Sequence, residues 1–250
     1  MILIKLGGSI ITNKEKPLSP RKKTIENLTK SLRKITEPII IVHGGGSYGH
    51  YWSVKYDMHT KEKKYDLRGV AIIKNSMIEL NKIILDSLLK NKQSPYCLPP
   101  TDFMTGNKPI AKKVKEIEKI AKSGMIPVTF GDALWYGQNK TYILSGDKIM
   151  THFAKVLKPR LCIFALNEDG LYSDFKTKKL ISELKGNIPL MSENKMDVTG
   201  GMTRKVEEAI KISKMGMNVF FVNGGKPERI VSAIKNKEFK GTRFRGKRNA

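Results

Sequence analysis

The chain has 250 residues, and its 47 lysines and arginines against 23 acidic residues give a formal net charge of +24. Two cysteines, Cys97 and Cys162, both in apolar surroundings, argue against a disulfide scaffold; no apolar run approaches membrane-spanning length, and the first residues lack a secretory pattern, so a cytoplasmic protein is expected. Hydrophobic content of 40% suffices for a sizeable core, and the cationic excess draws polyanions, leaving phosphate-handling enzymes and nucleic-acid binders in view.

Residues 2–6, Ile-Leu-Ile-Lys-Leu, read as a first strand closed by Gly7-Gly8-Ser9. Lys5 in so apolar a strand needs a partner or a task. Helical spacing covers 24–35, and Ile39, Ile40, Ile41 and Val42 then read as a strand buried on both faces. It runs into His43-Gly44-Gly45-Gly46-Ser47-Tyr48-Gly49-His50. Consecutive glycines leave a row of N–H groups unobstructed at a strand's end, which makes an anion cradle. Ser47 adds a hydroxyl, and His50 a ring that can carry charge near neutral pH. A tight turn needs one glycine; the four at 44, 45, 46 and 49 point to a phosphate site.

The polar 55–66 stretch lacks periodicity and reads as a mobile loop. Residues 69–89 form a long amphipathic helix with Val70, Ile73 and Met77 on one face. A short strand is expected at 96–100, a helix at 114–123, and a strand at 126–130 stopping at Gly131-Asp132. Asp132 either caps a turn or touches substrate. Tyr142-Ile143-Leu144 leads to Ser145-Gly146-Asp147 and a helix over 148–157. The second half repeats the rhythm: a strand at 161–166 ending in Asn167-Glu168-Asp169-Gly170, a helix over 200–214, a strand at 218–222, and a helix over 227–235 before Gly241-Thr242. Strands alternating with helices predict an α/β protein, a three-layer αβα sandwich around a mostly parallel sheet, with the glycine-rich turns gathered at the strands' C-terminal edge. No P-loop or protein-kinase signature occurs.

Ile4-Lys5-Leu6-Gly7-Gly8-Ser9, the His-Gly-Gly-Gly turn, Ser145-Gly146-Asp147, Asp169-Gly170-Leu171-Tyr172 and Asp197-Val198-Thr199-Gly200-Gly201-Met202 occur in the order seen in amino acid kinases. The chain resembles that family over essentially its full length. Within it, Ser9-Ile10-Ile11-Thr12-Asn13-Lys14, the run ending at His50, and Thr199-Gly200-Gly201-Met202 followed by Lys205 are most similar to the isopentenyl phosphate kinases.

The resemblance implies one domain over 1–250, with an acceptor lobe at about 1–160 and a nucleotide lobe at about 161–250. It implies ATP and Mg2+ as cofactors, isopentenyl phosphate as acceptor on the way to isoprenoids by the alternative mevalonate pathway, and a homodimer. Roles follow from the same resemblance. Lys5 bridges the transferring phosphoryl group, Lys14 stabilises its transition state, Lys205 holds the nucleotide phosphates, and Asp147 organises the lysines. Gly7, Gly8, Ser9, Gly46, Asp169, Gly170, Tyr172, Asp174 and Gly201 frame ATP. Gly45, Gly49, Gly146 and His50 grip the acceptor's phosphate, and Val70, Ile73 and Met77 receive its apolar end. His43 is expected to be structural; His59 and His152 receive no role. Asn167 stands where relatives often carry an acidic residue. Rival readings are a uridylate or fosfomycin-type kinase and, from another class, a nucleic-acid binder. The latter is disfavoured because the basic 240–248 tail interleaves only one aromatic, Phe244.

Overall fold

The computed structural model describes residues 1–174, 176–184 and 200–246. Fourteen strands and eight α-helices are seen among these residues. The first half contains β1 (Ile2–Leu6), the single turn α1 (Gly8–Ile11), α2 (Lys22–Leu32), β2 (Ile39–His43), α3 (Gly46–Lys55), α4 (Leu67–Lys90), β3 (Pro95–Cys97), β4 (Met104–Thr105), β5 (Lys108–Pro109), α5 (Ala111–Lys122) and β6 (Ile126–Phe130). Then follow β7 (Asp132–Gly137), β8 (Lys140–Leu144), α6 (Gly146–Leu157), β9 (Leu161–Leu166), β10 (Leu171–Asp174), β11 (Lys179–Ile181), β12 (Glu183–Leu184), α7 (Gly200–Lys214), β13 (Asn218–Asn223), α8 (Glu228–Ile234) and β14 (Gly241–Phe244).

One eight-stranded sheet runs in the order β12-β14-β13-β9-β1-β2-β6-β3. Its pairings are parallel except where β14 runs against β13. β1 sits at the centre because all five of its residues are buried on both sides, Lys5 included. The chain builds outward from β1 towards β2 and β6, then restarts on its other side with β9 and β13. Such a reversal opens a crevice outside the carboxyl ends of the central strands.

Two cores cover the sheet. Leu3, Val42, Phe164 and Phe221 face α5, α6 and α7. Ile2, Ile4, Leu6, Ile41 and Ile163 face α2, α4 and α8. Alternation along β1 therefore puts Lys5 on the Leu3 side, towards α6.

The expected three-layer sandwich is present, with differences at the connections. The sequence reading passes over β7 and the hairpin it forms with β8, whose Gln138 and Asn139 adopt φ of 49° and 58°. Asn-containing turns of this hand match the twist of paired strands, and Gly137-Gln138-Asn139 between aromatic and β-branched residues is the signal that marks it. The 55–66 segment is not a free loop: Lys63 and Thr141 exchange backbone hydrogen bonds of 3.1 and 2.9 Å with the rim of that hairpin. α4 starts two residues earlier than expected, at Leu67, because Asp66 caps it by accepting from the Gly69 N–H at 2.7 Å. The expected strand over 96–100 is shorter, since Pro99 and Pro100 cannot donate to a ladder.

Candidate active site

Three helix starts and two glycine turns meet at the carboxyl ends of β1, β2 and β9. The turn after β1 stays in the sheet's hydrogen bonding, with Gly7 N–H donating to Ala165 O at 3.0 Å; Gly44 N–H does the same to Leu6 O at 2.9 Å. The two turns then press backbone on backbone. A side chain on Gly8 would strike the Gly46 backbone, and one on Gly44 would lie 3.0 Å from the Gly8 nitrogen. Gly46 adopts φ of +48°, and its added carbon would sit 2.6 Å from Gly8 O. Glycine is required here by both contact and conformation.

Thr12 fastens the contact. Its hydroxyl donates to Gly8 O at 2.8 Å and accepts from the Ser47 N–H at 2.9 Å, and it is wholly buried. The Ser47 hydroxyl accepts from Ser19 N–H at 3.1 Å, so it ties down the 12–20 loop. That loop is the one that carries Lys14, which is exposed.

Across this edge lie the charges. Lys5 Nζ is 2.6 Å from Asp147 Oδ1, and the Lys5 side chain is only 4% exposed. Asp147 occupies the first turn of α6, after Ser145 caps that helix by accepting from Lys148 N–H at 3.2 Å. Gly146 lets the lysine pass: a side chain there would lie 3.2 Å from Lys5 Cε. Burial alone would push the Asp147 carboxyl up, but Lys5, Lys205 and Arg204 outweigh it and hold the group below its ordinary value.

Lys205 and Arg204 come from the first turns of α7. Lys205 Nζ folds back to donate to Gly201 O at 2.7 Å. Desolvation first, then the neighbouring Lys5, Lys14 and Arg204 charges, lowers Lys205 to about 8 against the partial support of Asp147. His50, on the second turn of α3, is exposed; desolvation and then Lys14, Arg204 and Lys205 hold it below its usual value. Electrostatic influence links Lys5, Lys14, His50, Arg204, Lys205 and Asp147, one acidic group and five basic ones, around the Lys5–Asp147 contact.

The expected residues on the acceptor side divide by depth. Met77 Sδ lies against the glycine turn, 3.1 Å from a side chain built on Gly45 and 3.0 Å from one on Gly49. Ile73 and Met77 are buried in the core beside the turn, and Val70 is partly buried on the same cluster. Asp132 is buried, pairs with Lys74 Nζ at 2.6 Å and accepts from Ala133 N–H at 2.8 Å. Of its two expected roles, the turn-capping one has a visible hydrogen bond. Burial raises the Asp132 carboxyl in spite of Lys74.

On the other flank, Asp169 is already engaged, by Arg229 at 2.6 Å, Lys240 at 2.9 Å and Asn223 at 3.0 Å. Although desolvation opposes it, these donors hold its carboxyl far below the ordinary range. Gly170 gives room to Thr242, whose hydroxyl accepts from Leu171 N–H at 2.8 Å and donates to Ile181 O at 2.7 Å. The Tyr172 side chain is buried beside Glu168, and its hydroxyl accepts from Asp169 N–H at 3.4 Å. Asp174 accepts from the Lys176 and Thr177 N–H groups in the turn between β10 and β11, away from the charged cleft's own contacts. His43 is buried, hydrogen-bonded to Asn81 Oδ1 at 3.2 Å and stacked on Phe130, and burial lowers it to about 4, as a structural histidine should be. Asp197, Val198 and Thr199 lie outside the described residues.

Sequence reasoning missed Thr12, Arg204 and Lys74. Arg204 adjoins Lys205 in the Gly200-Gly201-Met202-Thr203-Arg204-Lys205 run, and its place in the first helical turn after two glycines is the available signal.

A family model described as the amino acid kinase family matches residues 1–223. The isopentenyl phosphate kinase of Thermoplasma acidophilum is 30% identical over 98% of this chain and 100% of its own. That of Methanothermobacter thermautotrophicus is 30% identical over 99% of this chain and 100% of its own. A crystal structure of the T. acidophilum isopentenyl phosphate kinase product complex superimposes with a TM-score of 0.82 at 27% identity, covering 98% of this chain and 100% of that one. UMP kinase from Ureaplasma parvum shares the fold, with a TM-score of 0.65 at 16% identity over 98% of both chains.

Proposed function

Because the chain belongs to the amino acid kinase family, we propose that it transfers the γ-phosphoryl group of ATP to isopentenyl phosphate, giving ADP and isopentenyl diphosphate. The observation that carries the choice of acceptor is His50, exposed beside the interlocked glycine turns and within electrostatic range of Lys14, Arg204 and Lys205. The similarity of the chain to isopentenyl phosphate kinases supports the same choice.

An oxygen of the acceptor's phosphate attacks the γ-phosphorus while the bond to the ADP oxygen breaks. The nucleophile is already ionised, so no general base is needed, and positioning with charge neutralisation supplies the catalysis. Lys5, locked by Asp147, presents its ammonium from the floor of the cleft. Lys14 reaches from the 12–20 loop to charge that develops on the moving group. Lys205 and Arg204 hold the donor phosphates over the start of α7. The N–H groups of Gly8 and Gly46 line the meeting point of donor and acceptor. Burial first, and then three nearby cations, hold His50 below its usual value, so the negative charge of an entering phosphate would favour the protonated ring, which would grip the acceptor by a charge-assisted hydrogen bond. Met77, Ile73 and Val70 would meet the apolar end. Gly170, Tyr172, Asp174 and Gly201 would frame the nucleotide, with Asp169 bracing that corner through its three partners.

The donor set suits magnesium carried by the nucleotide. Among the described residues no three His, Cys, Asp or Glu groups converge on a cation cage, and Mg2+ is commonly bound through substrate phosphates with one or two carboxylates. Asp147 would be a carboxylate to hold the ion, which would neutralise charge on the donor phosphates. The 1–160 half would serve the acceptor and the 161–250 half the nucleotide, in a cytoplasmic homodimer. Apolar Ile78 and Leu89, exposed along α4, offer surface for a second copy.

The test offers ATP with isopentenyl phosphate, UMP, fosfomycin or N-acetylglutamate and follows ADP release. Isopentenyl phosphate alone should turn over efficiently. Preference for UMP would favour the uridylate reading, and its absence together with isopentenyl diphosphate formation removes it.

A further inference from the structure

Asp147 and Thr151 are four residues apart on α6, and Arg204, Lys205 and Glu208 lie at four- and three-residue spacing on α7. Each set therefore shares a helix face, stacked one turn above the next. In the upper layer, Asp147 feels the Lys205 and Arg204 charges and pairs with Lys5. In the lower layer, the Thr151 hydroxyl donates to Glu208 Oε2 at 2.5 Å. Glu208 Oε1 is 2.6 Å from Lys211 Nζ, and the carboxylate is only 14% exposed. One layer holds the reaction's charges; the layer beneath it holds the helices.

We infer that the Thr151–Glu208 hydrogen bond is a positioning device that sets the register of α7 against α6, and so fixes Arg204 and Lys205 at the donor phosphates relative to the Lys5–Asp147 pair. The inference rests on the proposed phosphoryl transfer only for its kinetic readout. Three observations favour it over a merely structural contact. The bond joins the two helices whose first turns carry the cleft's charges. It lies one turn from those charges on the same faces. It also spends a carboxylate at a mostly buried seam, where a pair of apolar residues would give packing without fixing register. Thr151 offers one donor with a short reach, so a sliding or rotation of α7 by a fraction of a turn breaks the bond. Neither Thr151 nor Glu208 touches the phosphates in this arrangement; they act through Asp147, Arg204 and Lys205.

The experiment compares Thr151→Val, Thr151→Ser and Glu208→Gln with the wild-type chain. Valine keeps the volume and removes the hydroxyl, serine restores it, and glutamine keeps an acceptor while removing the charge. ATP affinity is measured by calorimetric titration without acceptor, alongside KM for ATP, KM for isopentenyl phosphate and the melting temperature. Thr151→Val should weaken ATP binding and raise KM for ATP about three- to tenfold at an unchanged KM for isopentenyl phosphate. Thr151→Ser and Glu208→Gln should stay within about twofold of wild type. Unchanged ATP affinity in folded Thr151→Val overturns the inference. So does an equal loss for both substrates, or a melting-point drop with ATP affinity intact. Weakening in Glu208→Gln but not Thr151→Val would assign the effect to charge and overturn it too. Since the titration needs no acceptor, failure of isopentenyl phosphate to react would strike the proposed function without touching this result.

Discussion

The glycine edge at β1 and β2 and the charged corner around Asp169 solve one problem, holding a loop at a strand's end, by opposite means. At the edge, Gly8 and Gly46 meet through backbone atoms, and Thr12 bonds to both turns. At the corner, Arg229 from α8, Lys240 ahead of β14 and Asn223 at the end of β13 converge on one carboxylate. Backbone packing leaves no room for a side chain but is indifferent to pH. An ion-pair knot tolerates substitution in its surroundings but depends on the ionisation of Asp169. The difference suits the proposed roles: the edge must keep N–H groups fixed where two phosphates meet, whereas the corner only braces the nucleotide's flank.

The largest effect should come from breaking the edge. Gly46→Ala places a side chain in a left-handed backbone, worth roughly 1–2 kcal/mol on conformation alone, and forces it against Gly8 O, which an added carbon would meet at 2.6 Å. Turnover should fall at least a hundredfold, with a lowered melting temperature; a normal melting curve and normal kinetics would show that the two turns are not interlocked. Lys14→Ala comes next, and should cut kcat tenfold or more while leaving both Michaelis constants within about threefold, because its contact strengthens as charge develops. Equal losses in kcat and ATP binding would contradict that placing.

Lys205 sharpens the comparison by pH. With its ammonium lowered to about 8 in the free protein, it loses its proton as pH rises past that value, so kcat/KM for ATP should decline above pH 8. Lys205→Arg, which stays charged, should flatten this alkaline limb even if its peak activity is lower. An unchanged limb would assign the titration to another group. The smallest effect belongs to the corner. The Asp169 carboxyl is depressed when folded, so its stabilisation is complete above the unfolded value of about 4 and is lost as pH falls below it. Asp169→Asn should lower the melting temperature at pH 7 by a few degrees and weaken its dependence on acid. A mutant whose acid sensitivity matches wild type would show that the corner's ion pairs contribute nothing net.

The central strands were readable because β1, β2 and β6 are short apolar runs stopped by glycine and β9 one stopped by the polar Asn167-Glu168-Asp169 turn, and the parallel sheet followed from their alternation with helices. Of the candidate site, the charged groups near glycine turns were legible as candidates, His50 and Asp147 directly beside one and Lys5 and Lys205 within a few residues. What escaped was set by contacts distant in sequence. Thr12 reads as an ordinary polar residue until Ser47, far along the chain, is seen to donate to it. Arg204 reads as one more surface cation among 47 basic residues until α7 is placed beside α6. Asp169 shows the reverse: its turn was legible, but nothing local revealed that Arg229, Lys240 and Asn223 would already occupy it.

The proposed acceptor rests on His50, so His50→Ala tests the central claim most directly. A charge-assisted hydrogen bond contributes roughly 1.5–3 kcal/mol. Steady-state kinetics should therefore show kcat/KM for isopentenyl phosphate falling at least tenfold, with ATP affinity by titration unchanged. Near-normal turnover of isopentenyl phosphate by the mutant, or a loss confined to ATP, would contradict an acceptor phosphate held at His50.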